Sequence, residues 1–399
     1  FVVVLSGAKS LADSFGASNL IGVINWADVG LGVFVRSLNA FALESSAFMP
    51  RVCVAGGLLL IGLLGLAATA VIPALHHFSV VIASVAFIGA SSSFGESVLL
   101  GYLKSFGDGP IGGWSSGTGM AGVGGATFYL VLSGPAGLGD AAIFATMIPT
   151  AVIYVLVFVF MVDHAHVEGS ATGDVQPRGG HRPSIQMPDL PPLPSFEDGE
   201  EGDGGGSVAS KPPPVVEPAP RSTERICRVT KSVTWLATNL AFVYFFEYVV
   251  SVGFAARANG TDTAQEHSKR WGECFIRHAY AILALCYQFG VLISRSSLAF
   301  VQFRRVHILT ALQGANFVFW LLQAYFVFTS VWIQFVLMVY VGLLGGAMYV
   351  NVFSLLSKDD AILPQDKELA INISALFINA GIVTASVFEI VADATFLKK

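Results

Sequence analysis

Apolar residues in this chain run in blocks about as long as a bilayer crossing, separated mostly by short polar connections. A hydrocarbon core of about 30 Å takes about 20 helical residues. Against that ruler eleven segments stand out: Phe1–Ala8, Leu20–Phe41, Val52–Ala74, Phe78–Leu103, Trp114–Leu132, Ala141–Met161, Val233–Phe254, Ala279–Phe300, Ile308–Phe328, Ile333–Leu356 and Leu369–Val391. The chain opens inside the first block, at Phe1 instead of Met, so that span is expected to be truncated. One connection is long. Asp163 to Arg228 is rich in Pro and Gly, with an acidic knot at Glu197 to Asp203, and such a composition cannot bury a core. Three units are therefore expected: a membrane bundle at 1–162 (spans one to six), a disordered cytosolic linker at 163–228, and a second bundle at 229–399 (spans seven to eleven).

Composition agrees with the pattern. Hydrophobic residues make up 54% and charged residues 12% of the 399, against about 25% charged in an ordinary soluble domain, and the mean hydropathy is +0.68. A soluble enzyme is excluded on this count. The formal charge of -5, with 11 of the 27 acidic residues in the linker, argues against a nucleic-acid partner. Cys53, Cys227, Cys274 and Cys286 are too few and too scattered for a disulfide framework or a zinc site.

Basic residues set the orientation. Arg51, Lys104, Arg225, Arg228, Lys231, Arg304 and Arg305 fall on one side of the alternating spans, which makes that side and the linker cytosolic. The loop from Ala256 to His278 then faces the lumen, although Lys269, Arg270 and Arg277 run against the rule. Its Asn259-Gly-Thr261 is a glycosylation sequon in a permitted compartment. Asn372-Ile-Ser374 is a second sequon, discounted because it lies on the cytosolic side.

The two bundles repeat one another. Span two ends Arg36-Ser-Leu-Asn-Ala-Phe41 and span eight ends Arg295-Ser-Ser-Leu-Ala-Phe300; Arg51-Val52 opens span three and Arg305-Val306 precedes span nine; Phe87-Ile-Gly89 in span four matches Tyr340-Val-Gly342 in span ten. The matches fall in order, six spans apart and in the same orientation. A parallel six-span repeat is the plan of major facilitator transporters, in which solute binds near the midplane between the halves. The expected fold is thus an all-α polytopic membrane protein, major-facilitator-like, with two pseudo-repeated bundles and about 11 transmembrane helices.

Gly117-Thr-Gly119-Met-Ala-Gly122, with Asp140 about twenty residues on, fits a dinucleotide fingerprint. That fingerprint needs a strand before it and a βαβ unit around it, and here it is embedded in a span. The better reading is a small-residue ridge, Gly113, Gly117, Ala121 and Gly125, repeating every four residues for close helix packing; Gly342 and Gly346 form its counterpart in span ten.

A carboxylate at the bilayer centre costs about 2.5 to 3.5 kcal/mol on insertion scales and so faces a cavity or a partner. Asp28, Glu96, Glu247 and Glu389 are the candidates. Glu96 and Glu247 lie on spans four and seven, which with spans one and ten line the cavity of a six-plus-six transporter, and Tyr349 and Asn351 occupy nearly the position equivalent to Glu96. Glu389 nears a span end and ranks lowest. Arg36 and Arg295, at matching cytosolic ends, are candidates for a gate or an anion contact, with orientation anchoring as the plainer reading. His76 and His77 read as a solvated turn.

Several strings together resemble the battenin family of lysosomal membrane proteins: Gly95-Glu96, Trp114-Ser-Ser-Gly-Thr-Gly119 with its following Ala-Gly, Phe246-Glu247-Tyr248, Tyr287-Gln288 leading to Ser294-Arg-Ser-Ser-Leu298, and Gly342-Leu-Leu-Gly-Gly-Ala347 with Tyr349-Val-Asn351. The likeness runs from Phe1 through span ten. It implies a lysosomal or vacuolar membrane, links to lumenal pH, and either basic amino acids such as arginine or glycerophosphodiesters as solutes. The expected function is a secondary transporter of a small polar solute, with protons coupled through Glu96 or Glu247. Its expected partners are that solute, protons and the lipid bilayer. The alternative is a non-transporting scaffold that binds trafficking partners through the linker. No metal-ligand cluster or nucleophile–base pair lies within the spans, so neither an enzyme nor a cofactor is expected.

Overall fold

The computed structural model describes residues 1–39, 48–104, 109–161, 223–258, 278–297, 302–359, 361–363, 366–395 and 397. Among them every regular element is helical. The helices are α1 (Val2–Ser14), α2 (Ile21–Leu38), α3 (Phe48–Val71), α4 (Phe78–Lys104), α5 (Gly109–Ser133), α6 (Asp140–Thr146) and α7 (Ile148–Met161), followed by α8 (Thr223–Tyr248), a π-helical turn (Val249–Phe254) running into α9 (Ala255–Ala258), α10 (Ala279–Ser296), α11 (Val306–Phe326), α12 (Val331–Lys358) and α13 (Lys367–Ala394). Helix is what such sequences must form, because hydrocarbon offers no partner to a backbone amide or carbonyl. Nine stretches among the described residues are long and apolar enough to cross a membrane. The chain is a multi-pass membrane protein. The glycine- and serine-rich α5 and the short α1 lie outside those nine.

The halves meet through α2 against α13 and α5 against α10, with α1 also on α10. A shift of six spans turns span two into eight and span five into eleven, so the two main contacts exchange, as a parallel repeat requires. Close approach inside each half repeats as well. Gly89 of α4 lies so near the backbone of Asp28 on α2 that a methyl group would overlap it, and Gly342 of α12 lies in the same way on the Tyr287 carbonyl of α10. Gly346 lies on Ser294 and Gly290 on the Val339 carbonyl. Small residues at these crossings let the backbones touch, which is how helices gain contact where no water is expelled.

Two expectations need correction. The ridge expected on α5 points away from the protein: Gly113, Gly117 and Ala121 are exposed, and a methyl group on Gly113 or Gly117 would meet nothing. Only Gly125 touches a neighbour, at Val2 and Val3 of α1. The packed face is rotated, with Gly119 against Leu292, Gly122 against the Gln288 side chain, and Ala126 and Tyr129 buried behind them. A repeat of four leaves two glycine stripes on this helix, and the partner helix selects one.

The second correction concerns the end of the linker. Residues 223–228 are the first turns of α8, and Arg225 Nε and Arg228 Nη2 donate to Asp366 Oδ1 and Oδ2 at 2.6 and 2.9 Å. Asp366 is 2% exposed. The linker at 163–222, Asn259 and Cys274 lie outside the described residues.

Candidate functional site between the halves

Arg36 ends α2 and Glu96 lies on α4, 60 residues apart in sequence, and the crossing at Gly89 brings them together. Arg36 Nη2 reaches Glu96 Oε2 at 2.5 Å, with side-chain exposures of 7% and 31%. The pair is partly open on the carboxylate side. From the other half, Tyr349 of α12 donates its hydroxyl to Glu96 Oε1 at 3.4 Å. Arg295, at the end of α10, lays its guanidinium 4.3 Å above the Tyr349 ring and donates from Nη1 to Thr118 Oγ1 of α5 at 2.9 Å. Each of these last two hydrogen bonds crosses from one half to the other.

Glu247 lies deeper. It is 1% exposed, and the Tyr287 hydroxyl donates to its Oε1 at 2.5 Å while Oε2 has no hydrogen-bond partner among the described residues. Gly345 makes room for it, since a methyl group there would overlap the carboxyl. Arg295 lies within electrostatic reach of Glu96, Glu247, Tyr244, Tyr287 and Tyr349. No carboxylate sits at ion-pair distance from it among the described residues. The Nε atoms of both Arg36 and Arg295 are buried without a hydrogen-bond partner among the described residues. The site therefore offers two guanidinium groups, one of them matched, with several hydroxyls and a spare carboxyl oxygen.

Glu96, Glu247, Tyr349, Arg36 and Arg295 are thus brought into one cluster. Asn351 is not part of it: its Oδ1 accepts the Phe303 amide at 2.6 Å and its Nδ2 donates to the Ala347 carbonyl at 2.7 Å, so both ends serve the backbone. Asp28 is 1% exposed, neither of its oxygens has a hydrogen-bond partner among the described residues, and it lies near Tyr248 instead. Thr118, Tyr244 and Tyr287 had not been singled out as site residues. Thr118 lies inside the rejected glycine fingerprint, and Tyr287 inside one of the strings shared with battenin. His76 and His77 are exposed in the connection between α3 and α4, where His76 also stacks on Phe15 and its Nδ1 lies 3.0 Å from the Thr69 carbonyl.

The family model for the CLN3 protein matches residues 1–398. The chain belongs to the CLN3, or battenin, family. Battenin of Dictyostelium discoideum is 40% identical over 403 residues, covering 100% of this chain and 91% of its own length. Protein btn-1 of Neurospora crassa is 26% identical over 398 residues, covering 97% of this chain and 82% of its own. Among solved structures, a D-xylose-proton symporter superposes with a TM-score of 0.58 at 12% identity, over 99% of this chain and 87% of that one. This battenin-family chain thus has the major facilitator fold, and the α2–α13 and α5–α10 contacts are where its halves join.

Proposed function

We propose that the chain is a secondary transporter of the lysosomal or vacuolar membrane that carries a glycerophosphodiester by rocking its halves about the α2–α13 and α5–α10 contacts. The observation behind this reading is that Arg36 and Glu96 from one half lie around Tyr349 with Arg295 from the other, and of the two arginines only Arg36 has a carboxylate at ion-pair distance among the described residues. A phosphodiester brings one negative charge and two oxygens that suit a guanidinium fork. Its glycerol hydroxyls have Tyr244, Tyr287, Tyr349 and the spare Glu247 oxygen as hydrogen-bond partners. A basic amino acid, also implied by the family resemblance, would set its cation beside Arg295, and like charges disfavour that. In analogy with the proton symporter of the same fold, protons are the proposed co-solute, taken up at Glu96 or Glu247, which would tie transport to lumenal pH. The linker side, where Arg36 and Arg295 lie, is proposed to be cytosolic.

Liposomes holding the purified full chain should take up labelled glycerophosphocholine above protein-free liposomes, and unlabelled glycerophosphoinositol should compete while arginine should not. Folded, inserted protein with no uptake would favour the scaffold alternative. Coupling is tested by Glu96→Gln, which keeps size and abolishes titration. Uptake driven by a pH gradient should fall several-fold more than exchange at equal pH; if the two modes fall together, Glu96 is a binding residue and not the coupling residue.

A further inference from the structure

Away from the site just described, on the membrane face opposite the linker side, one carboxyl has no use in the proposed cycle. Glu389 of α13 is 3% exposed, and neither of its oxygens has a hydrogen-bond partner among the described residues. Facing it from α2 is Asn25, 0% exposed, whose Oδ1 and Nδ2 are equally without a partner. The Asn25 carboxamide and the Gly253 backbone are its close polar neighbours, but neither is placed for a hydrogen bond of ordinary geometry. The backbone is shaped around this carboxyl. A methyl group on Gly253 would lie 2.7 Å from Glu389 Cγ, and one on Gly22 would lie 3.1 Å from its Cβ and 3.0 Å from the Ser386 carbonyl. Gly253 belongs to the π-helical turn Val249–Phe254, and such turns loosen the regular ladder of carbonyls and are frequent at functional sites.

The charged and titratable groups around it are few. Asp393 lies one turn further along α13 and is paired with Arg257 of α9, whose Nε donates to Asp393 Oδ1 at 2.7 Å. Tyr280 of α10 faces Glu389, and Asp28 of α2 lies near Tyr248. Lys9 of α1 donates to the Ala256 carbonyl at 3.0 Å, a link between halves at this same end. Arg257 is thus engaged by Asp393 and Lys9 by the Ala256 carbonyl, and among the described residues no cation is at ion-pair distance from Glu389. A buried carboxylate with no cation and no well-aligned donor is expensive in hydrocarbon, so the site is built for something that neutralises it. One carboxyl and one carboxamide cannot fill the coordination shell of a metal ion, which takes about six oxygens, whereas a single proton satisfies them. A small cavity of ≈ 20 Å³, about the size of one water, is lined by Ser6, Tyr248, Ser251, Tyr280, Tyr287 and Gln288, and so touches both the Tyr280 beside Glu389 and the Tyr287 that holds Glu247.

We propose that Glu389, with Asn25 and the π-helical turn at Gly253, is a second proton-binding site, which stabilises the closed contact between α2 and α13 and communicates with Glu247 through the tyrosine-lined pocket. The proposal rests on the transport reading for its role in a cycle, but its proton binding can be measured without any solute. Thermal unfolding of the purified full chain in nanodiscs, followed from about pH 5 to about pH 8, reads it directly. A proton bound only by the folded form stabilises it as acidity rises, by up to about tenfold in the folding equilibrium per pH unit for one site. Wild type should therefore lose Tm as pH rises, and Glu389→Gln, permanently neutral, should lose clearly less and exceed wild type at the alkaline end. A Glu389→Gln profile parallel to wild type overturns the proposal. Should that variant fail to fold, Asn25→Ala decides: removing the carboxamide should displace the pH midpoint, and an unchanged midpoint overturns the proposal. Replacing sodium by choline should leave every profile in place; a sodium-dependent Tm lost in Glu389→Gln would make this a metal site and overturn it. Absent uptake of glycerophosphocholine with an intact Glu389-dependent profile would remove the transport reading and leave this site standing.

Discussion

A guanidinium held over an aromatic face and bonded to a threonine has little freedom left, and Arg295 combines that restraint with a buried Nε that has no partner, and no carboxylate at ion-pair distance, among the described residues. Its planar fork and its stacking on Tyr349 are properties a lysine does not reproduce. Arg295→Lys keeps the charge, so folding and abundance should stay close to wild type. The KM for glycerophosphocholine should nevertheless rise by about tenfold, the scale of one lost charge-assisted hydrogen bond. Uptake kinetics in liposomes, normalised to inserted protein, give the answer, and an unchanged KM would place the solute elsewhere. Glu96 and Glu247 differ in the same local terms. The first is partly open and paired with Arg36; the second is enclosed under Gly345 and held by Tyr287.

For the elements, helix rotation decides more than helix existence. α5 carries two glycine stripes, and its contact with α10 uses the one at Gly119 and Gly122. Gly119→Leu should therefore push α5 off Leu292, lowering stability by about 1 to 3 kcal/mol, as overpacking does. Gly117→Leu should leave Tm nearly unchanged. Comparing the two variants by thermal unfolding separates the stripes, and equal losses would contradict the rotation described. The N-terminal turns of α8 follow the same logic. Arg225 and Arg228 look like the tail of a polar linker, yet their helix is fastened by Asp366, which lies at the start of α13, 138 residues beyond Arg228.

Over the whole molecule, the hydrogen bonds from Tyr349 to Glu96 and from Arg295 to Thr118 tie the halves at one membrane face, and that from Lys9 to Ala256 ties them at the other. A rocking cycle has to break the two sets in turn, which requires the faces to be chemically distinct. Their assignment to compartments is testable. Protease added to intact lysosomes or vacuoles should cut the chain between Glu197 and Asp203, and Asn259 should carry glycan. Full protection of that acidic stretch would invert the proposed orientation and place Glu389 on the cytosolic face.

Membrane insertion is a free energy summed segment by segment, so the class of the protein, nine of the apolar spans and the like order of the two halves could be read from hydropathy and order along the chain. Arg36 and Arg295 were already visible as equivalents, because a repeat preserves register. The partners of each side chain are set by contacts between segments, and those depend on helix rotation and crossing depth, which leave little trace in a window of 20 residues. Tertiary structure alone decided that Arg36 pairs with Glu96, that Asn351 serves the backbone, and that Gly119 packs while Gly117 does not. It also decided the place of Glu389. Nearness to the end of a span suggested a wet carboxyl of little consequence, but α2 and the π-helical turn close over it, and neither of its oxygens has a hydrogen-bond partner among the described residues. Burial at a helix end is supplied by neighbours distant in sequence, and no local pattern encodes them.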